Sequence, residues 1–582
     1  MAERIVVDPI TRIEGHLRIE AELNADNSIK AAYSSGTQVR GIEIILRDRD
    51  PREAWAFTQR VCGVCTTVHS FASLRAVEDA LDITIPKNAN LIRNLMVAQQ
   101  FVHDHVMHFY HLHALDWVDI VSGLKADPAE TANIQKSISP NYPNASAAYF
   151  KTVQSQVQAI VDSGQLGLFA NAYWGHPAYK LPPEVNLLAT AHYLEALDWQ
   201  RDVVKLHALF GGKNPHPNFV VGGVPIAINP AGDISLNAEG LSLIKKVISS
   251  IQTFVDQVYL PDLLAIAPFY KEWAGYGENG GNFLSWGEFP LDDPRDTSNQ
   301  FVPRGVIMDR DLSNIIDPDP KDFAEVKEFI ARSWYDYDGG KESGLHPFEG
   351  ETTLNYGGPT PPYDHLDVDK SYSWMKAPRF REKPMEVGPL ARVLMMYASG
   401  NAQIKELVDS TLAALDAPIE AVFSTLGRTA ARAIETKAIA DQMALWNNDL
   451  VANIASGDME NWNGTRWEKN TWPAHAEGFG WHEAPRGALG HWIVIDNGKI
   501  GNYQMVVPTT WNGSPRDHLG QPSPYESSLE GTPMADPEQP LEILRTIHSF
   551  DPCMSCAIHL MDVNGKDLGE VDATPGLVCR VL

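Results

Sequence analysis

Between residues 88 and 121, apolar side chains recur three or four positions apart, at Leu91, Leu95, Ala98, Val102, Val106, Phe109 and Leu112. That spacing lets a helix bury one face. No Pro or Gly interrupts the stretch, so it predicts one long helix. Similar patterns predict helices over 144–163, 183–210, 237–266 and 388–455, the last with interruptions. Near the N-terminus the period changes to two. HLRIEAEL (16–23), the turn NADN and the returning SIKAAYSSG predict a half-buried hairpin, with Glu14 just before it. HWIVIDNGKIGNYQMVV (491–507) predicts a second hairpin, turned at Asn497 and Gly498. From 266 to 384 the chain is rich in Gly, Pro, Asp, Tyr and Trp, as in GYGENGGNF and NYGGPTPPYDH, which predicts long ordered loops on a scaffold. The expected fold is mainly α with peripheral β: a long-helix bundle core and small β hairpins near both termini.

Composition narrows the function classes. The chain is 44% hydrophobic and 21% charged, enough for a large core without covalent staples. Asp and Glu outnumber Lys and Arg by 74 to 47, a formal net charge of -27, and no basic run forms a phosphate-binding footprint. Nucleic acid is therefore not an expected partner. MAERIVVDPITRIEGH holds no apolar segment long enough for a signal peptide, and no later stretch approaches ~20 apolar residues. By its own sequence the chain is expected to be soluble and to enter no membrane. Five cysteines in 582 residues do not make a disulfide framework.

Four of those cysteines form two CxxC pairs, RVCGVCTTVH (60–69) and DPCMSCAIH (551–559), and Cys579 stands alone. A single CxxC also fits a thioredoxin-like redox site. Two pairs in a chain nearly devoid of other thiols fit a tetrahedral sulfur site for zinc, iron–sulfur or another thiophilic metal. A structural zinc clamp usually staples a small local unit, whereas nearly the whole chain separates these pairs. The separation favours a buried site around which the fold is built.

Both pairs sit in longer blocks. RVCGVCTTVH fits RxCGxCxxxH at every fixed position, and DPCMSCAIH fits DPCxxCxxH. With DPITRIEGH, GTQVRGIEIIL, DPREAWAFTQR, EAPRGALGHW and VVPTTWN in the same order, the chain resembles the large subunit of a [NiFe] hydrogenase from about Val6 to His559. The block pattern is most similar to the membrane-associated uptake group. The resemblance implies the hydrogenase large-subunit fold and reversible heterolytic cleavage of dihydrogen into protons and electrons. It implies nickel on Cys62, Cys65, Cys553 and Cys556, with Cys65 and Cys556 bridging to an iron that carries carbon monoxide and cyanide. Glu14 matches the proton relay beside the terminal thiolate Cys553. Arg486 matches a guanidinium over the metal site, held by Asp104 and Asp551. Pro485 and Thr509 match contacts to the diatomic ligands, and His69 a histidine that hydrogen-bonds a bridging sulfur. Glu43, the Met505 carbonyl and His559 match ligands of a buried magnesium. The five histidines at 103, 105, 108, 111 and 113 match no metal position and are expected to pack and to bond between helices.

With its thiols committed to one site, the chain has none for a relay of clusters. The resemblance implies an iron–sulfur small subunit as obligate heterodimer partner, and a membrane cytochrome b or other electron acceptor beyond it. It also implies export with the small subunit to the periplasmic side of the inner membrane; a cytoplasmic life is the alternative. Residues 1–559 are expected to form a single compact catalytic unit. Residues 560–582 are expected to be a C-terminal extension, cut between His559 and Leu560 by a maturation endopeptidase after nickel-insertion proteins have acted. Two other readings compete: the related quinone-reducing subunit of respiratory complexes, which has lost the metal, and a zinc-clamped interaction protein.

Overall fold

The computed structural model describes residues 4–554 except 171, 361 and 362. Cys556, His559, Leu560 and the extension lie outside the described residues. The centre is built from helices. Lys87–Met107 packs along Thr425–Ala455, which also packs against Pro389–Ala398, Ala402–Leu415 and Ala238–Phe254. Eighteen of the 21 residues of Lys87–Met107 are buried, so this helix is enclosed on all sides rather than on the single face its periodicity predicts. Several of its polar members are held by partners from other elements: Arg93 pairs with Glu78 at 2.7 Å, and His105 with Glu435 at 2.8 Å.

The long helix predicted to 121 keeps its α form only to Met107. It widens to a π-turn over His108–His113, closes with a 3-10 turn at Ala114–Asp116 and stops. A π-turn takes about one extra residue into a single turn, too local a change for the apolar spacing of the whole stretch to mark. The 183–210 prediction divides into Pro183–Val203 and Lys205–Gly211, and 237–266 carries a π-turn at Val255–Tyr259. The 388–455 stretch breaks at Gly400, φ 83°, and again between Leu415 and Thr425, where Pro418 lies.

Both predicted hairpins form, and each gains a third strand. Arg4–Val7 joins Leu17–Leu23 and Ile29–Gly36, and His475–Ala484 joins Gly487–Asp496 and Lys499–Val506. Asn497 and Gly498 both have positive φ, 49° and 76°, as their hairpin turn requires. The stretch predicted as loops from 266 to 384 contains three antiparallel pairs, Phe283–Pro290 with Gln300–Ile307, Val326–Phe329 with Ala377–Phe380, and the short Tyr335–Asp336 with Thr353–Leu354. Phe283–Pro290 is buried at every position, so no alternation marks it as a strand. Among the described residues no helix is long and apolar enough to cross a membrane.

Candidate active site

Two segments distant in sequence deliver the described cysteines to one point. Cys62 ends the turn Gln59–Val61, Cys65 lies just before the helix Val68–Ala80, and Cys553 follows the helix Leu541–Ser549. All three are buried, and their sulfurs lie within 4.8 Å of one another, with Cys62 Sγ and Cys553 Sγ 3.3 Å apart. The CGVC loop turns its own amides inward: Val64 N and Cys65 N donate to Cys62 Sγ at 3.3 and 3.2 Å. Such donors favour a thiolate. Asp551, φ 59°, turns the chain out of the helix in the left-handed region that Asp tolerates better than most residues. The Cys553 amide then donates to Thr509 Oγ1 at 3.0 Å.

Glu14, which the resemblance matches to a proton relay, lies beside Cys553. Glu14 and Cys553 form an isolated parallel bridge, and Met554 N donates to the Glu14 carbonyl at 2.7 Å. Cys553 Sγ donates to Glu14 Oε2 at 3.4 Å. Arg486 lies 3.3 Å from Asp104 Oδ2 and 3.0 Å from Asp551 Oδ1, both buried. Burial opposes the Arg486 charge, but Asp551, Cys553 and Asp104 together hold its pKa well above the usual value. Asp104 also accepts from Gln100 Nε2 at 2.6 Å, and Gln100 Oε1 from Thr67 Oγ1 at 3.2 Å. The Pro485 carbonyl accepts from Arg392 Nη2 at 2.9 Å, which fixes the turn into Arg486. Glu14, Arg486, Gln100, His103 and His207 line one cavity of about 480 Å³.

His69 differs from expectation in its visible partner. Its Nδ1 meets His491 Nε2 at 3.1 Å, and His491 Nδ1 meets Tyr503 Oη at 2.7 Å. If Tyr503 donates, His491 passes an N–H to His69, whose Nε2 then carries the remaining proton. That Nε2 is buried and has no hydrogen-bond partner among the described residues, so it is the atom on hand for a sulfur. Burial drives the His69 pKa down to about 3 against the pull of Cys62, and the ring stays neutral.

Glu43 accepts from Met505 N at 3.0 Å and from Thr352 Oγ1. Beside it, Lys376 Nζ donates to Gln504 Oε1 at 3.0 Å and lies 3.3 Å from Glu328. Burial raises Glu328 to about 7, with Lys376 pulling down and Glu43 pushing up. Gln100, Thr67, His491, Tyr503, Lys376, Glu328 and Gln504 were not singled out by sequence, and their local stretches carry no spacing that marks them. The crowded histidines bond to neighbouring elements as expected, His111 for example to the Tyr193 carbonyl at 3.0 Å.

Comparisons with known proteins agree with this geometry. The family model for nickel-dependent hydrogenase matches residues 40–559, and one described as HoxL-like matches residues 4–39. The chain is 53% identical to the uptake hydrogenase large subunit of Bradyrhizobium diazoefficiens, covering 98% of this chain and 97% of that protein. It is 48% identical to the hydrogenase-1 large chain of Escherichia coli at the same coverage. Among solved structures, the [NiFeSe] hydrogenase of Dm. baculatum superposes with a TM-score of 0.74 at 31% identity, over 96% of this chain and 100% of that one. That of D. vulgaris Hildenborough gives 0.75 at 30%, again over 96% and 100%. Buried sulfurs at the meeting point of N-terminal and C-terminal segments, matched along almost the full chain, place this protein in the nickel-dependent hydrogenase family, with the fold of its large subunits.

Proposed function

We propose that this chain is the catalytic large subunit of an uptake [NiFe] hydrogenase. The observation that carries the reading is the 3.4 Å contact between Cys553 Sγ and Glu14 Oε2, inside a cluster of three buried sulfurs. Three converging thiols with inward amides suit soft metals, and Cys556, outside the described residues, would complete the set. Nickel and iron held there, the iron with carbon monoxide and cyanide, would supply the redox-active Lewis-acid centre at which dihydrogen is split. The chain supplies the rest. Cys553 Sγ takes up a proton and Glu14 receives it within hydrogen-bond reach. Arg486, locked between Asp104 and Asp551, places a fixed positive charge beside the sulfurs. Arg486, Asp104, Asp551 and Cys553 are buried and Glu14 is part-buried, which limits the water that can compete for the proton.

The part-buried Glu43 lies near the buried Glu328, which Lys376 pairs, and this concentration of negative charge fits a magnesium ion on Glu43, the Met505 carbonyl and His559. An iron–sulfur small subunit would carry electrons out toward a membrane cytochrome b, on the periplasmic side of the inner membrane. Residues 1–559 would be the working unit, which agrees with the end of the family match at residue 559. The extension would leave by cleavage between His559 and Leu560 after nickel insertion, so the nickel-loaded chain should show an intact mass ending at His559. The relay is tested by Glu14→Gln in the assembled enzyme. Exchange between deuterium gas and water protons should fall about 100-fold or more with nickel and iron retained. Full exchange in that variant defeats the relay.

A further inference from the structure

A second buried network lies beside the path just described. Asp116, wholly buried in the turn after the histidine-rich helix, uses both carboxylate oxygens. Its Oδ1 accepts from Arg12 Nη2, two residues before Glu14. Its Oδ2 stands 2.6 Å from His548 Nδ1, five residues before Cys553, and 3.3 Å from His113 Nδ1. The other nitrogen of His548, Nε2, lies 2.8 Å from the Thr11 carbonyl. The imidazole thus grips the N-terminal segment directly as well as through Asp116. Arg12 has φ 55°, unusual for a non-glycine residue, and its Nη1 donates to the Leu112 carbonyl.

His113, Asp116 and His548 are close enough to suggest a metal site, but their hydrogen bonds exclude one. Trp117 Nε1 donates to His113 Nε2 at 2.9 Å, so His113 carries its proton on Nδ1, facing Asp116. A carbonyl only accepts, so His548 Nε2 is protonated toward Thr11, and a proton also lies between Nδ1 and the carboxylate. Both nitrogens of His548 and Nε2 of His113 are hydrogen-bonded, His113 Nδ1 faces the carboxylate at 3.3 Å, and Arg12 already balances that charge.

We propose that Asp116 is a positioning residue of the proton path: it ties the segment bearing Glu14 to the segment bearing Cys553 and so sets the gap between carboxylate and sulfur. The inference rests on Glu14 being the proton acceptor. Beyond the ties at Thr11, Arg12 and His548, the two segments run side by side to the Glu14–Cys553 bridge. On the way they pass Asp551, which holds Arg486. Loosening Asp116 therefore displaces both groups that face the sulfurs.

Three variants of the heterodimer test this. Asp116→Ala cuts the tie. Asp116→Asn keeps it, since the amide oxygen accepts from Arg12 and the amide nitrogen donates to His548 Nδ1 once that ring, still protonated at Nε2 toward Thr11, gives up its Nδ1 proton. Arg12→Gln weakens one side only. In Asp116→Ala, nickel and iron should stay bound while exchange falls about 10- to 100-fold, the usual effect of a small misplacement. The solvent deuterium isotope effect on hydrogen oxidation should rise, and a crystal structure should show the Glu14–Cys553 gap opened beyond hydrogen-bond reach. Asp116→Asn should recover most of the exchange. Normal exchange and an unchanged gap in Asp116→Ala overturn the proposal, as do metal and activity lost in equal proportion with an unaltered isotope effect. If Asp116→Ala does not accumulate, Arg12→Gln decides by the same readouts. Full exchange in Glu14→Gln would remove the acceptor reading itself, whereas a blocked Glu14→Gln beside a normal Asp116→Ala removes only this one.

Discussion

Arg486 shows how far single side chains determine this site. It is 2% exposed, and its charge survives burial because two aspartates and the neighbouring sulfurs surround it. A planar guanidinium spans Asp104 and Asp551 together; a compact ammonium cannot. Arg486→Lys should therefore keep its nickel and lose at least about tenfold in hydrogen oxidation, read from kcat with a viologen acceptor. Undiminished kcat would show that the fixed fork is not needed. Cys62, Cys65 and Cys553 were legible in the sequence as members of two CxxC pairs, because chemistry that needs fixed spacing writes motifs, whereas Glu14, Asp104 and Asp551 were reached only through the resemblance to the hydrogenase family. His491, Tyr503, Gln100 and Lys376 were legible in neither way. Their bearing on the site comes from tertiary contacts rather than motifs, as Tyr503 acts through His491 on His69, and a single sequence does not record such pairings.

The elements that hold these residues depend on close backbone approach. The strand His475–Ala484 lies directly on the helix Val68–Ala80, which follows the first cysteine pair. A Cβ at Gly478 would sit 2.1 Å from the Ala76 carbonyl oxygen, and one at Gly480 only 1.8 Å from that of Ala72. Gly480→Ala must push the helix off the strand, at a cost of about 1–3 kcal/mol. Its melting temperature should drop, and nickel occupancy should fall with it because Cys62 and Cys65 move with the helix. An unchanged melting temperature would mean that the contact relaxes freely. The same burial explains why this strand escaped prediction. Seven of its last eight positions lie inside, and its glycines mark a packing contact rather than a turn. The hairpin beside it was legible because Asn497 and Gly498 state their turn chemistry locally. Likewise, the ends of the histidine-rich helix were misjudged because the π-turn follows from partners such as the His548 carbonyl, 2.6 Å from His108 Nε2.

For the molecule as a whole, the buried ionisable groups set an acid limit. Burial lowers His69 to about 3 and His105, His111, His113 and His207 to about 4, in each case against weaker opposing contacts. On unfolding, these five take up protons below about pH 6.5. In the other direction, burial raises Glu328, Glu483 and Glu526 to about 7, so these three release protons on unfolding between about 4.5 and 7. Five against three leaves a net uptake of two protons, so stability rises with pH from about 4.5 to 6.5, by about 1.4 kcal/mol per proton per pH unit. Above about 6.5 only the glutamates still titrate, and stability slips slightly up to about 7. His108, His482 and His491, also lowered by burial, add to the rise; Asp551 and Glu530, raised by burial, oppose it. Thermal melts should show a higher midpoint at pH 6.5 than at pH 5, and the reverse order would refute the balance.

The central claim is that the two CxxC pairs bind nickel and iron for hydrogen chemistry. Metal analysis of the purified complex, beside a Cys553→Ser variant, tests it most directly. The account predicts about one nickel and one iron on the large subunit, apart from small-subunit iron, with both lost in the variant. One zinc per chain with no nickel, in a complex that reduces no viologen under hydrogen, would contradict it.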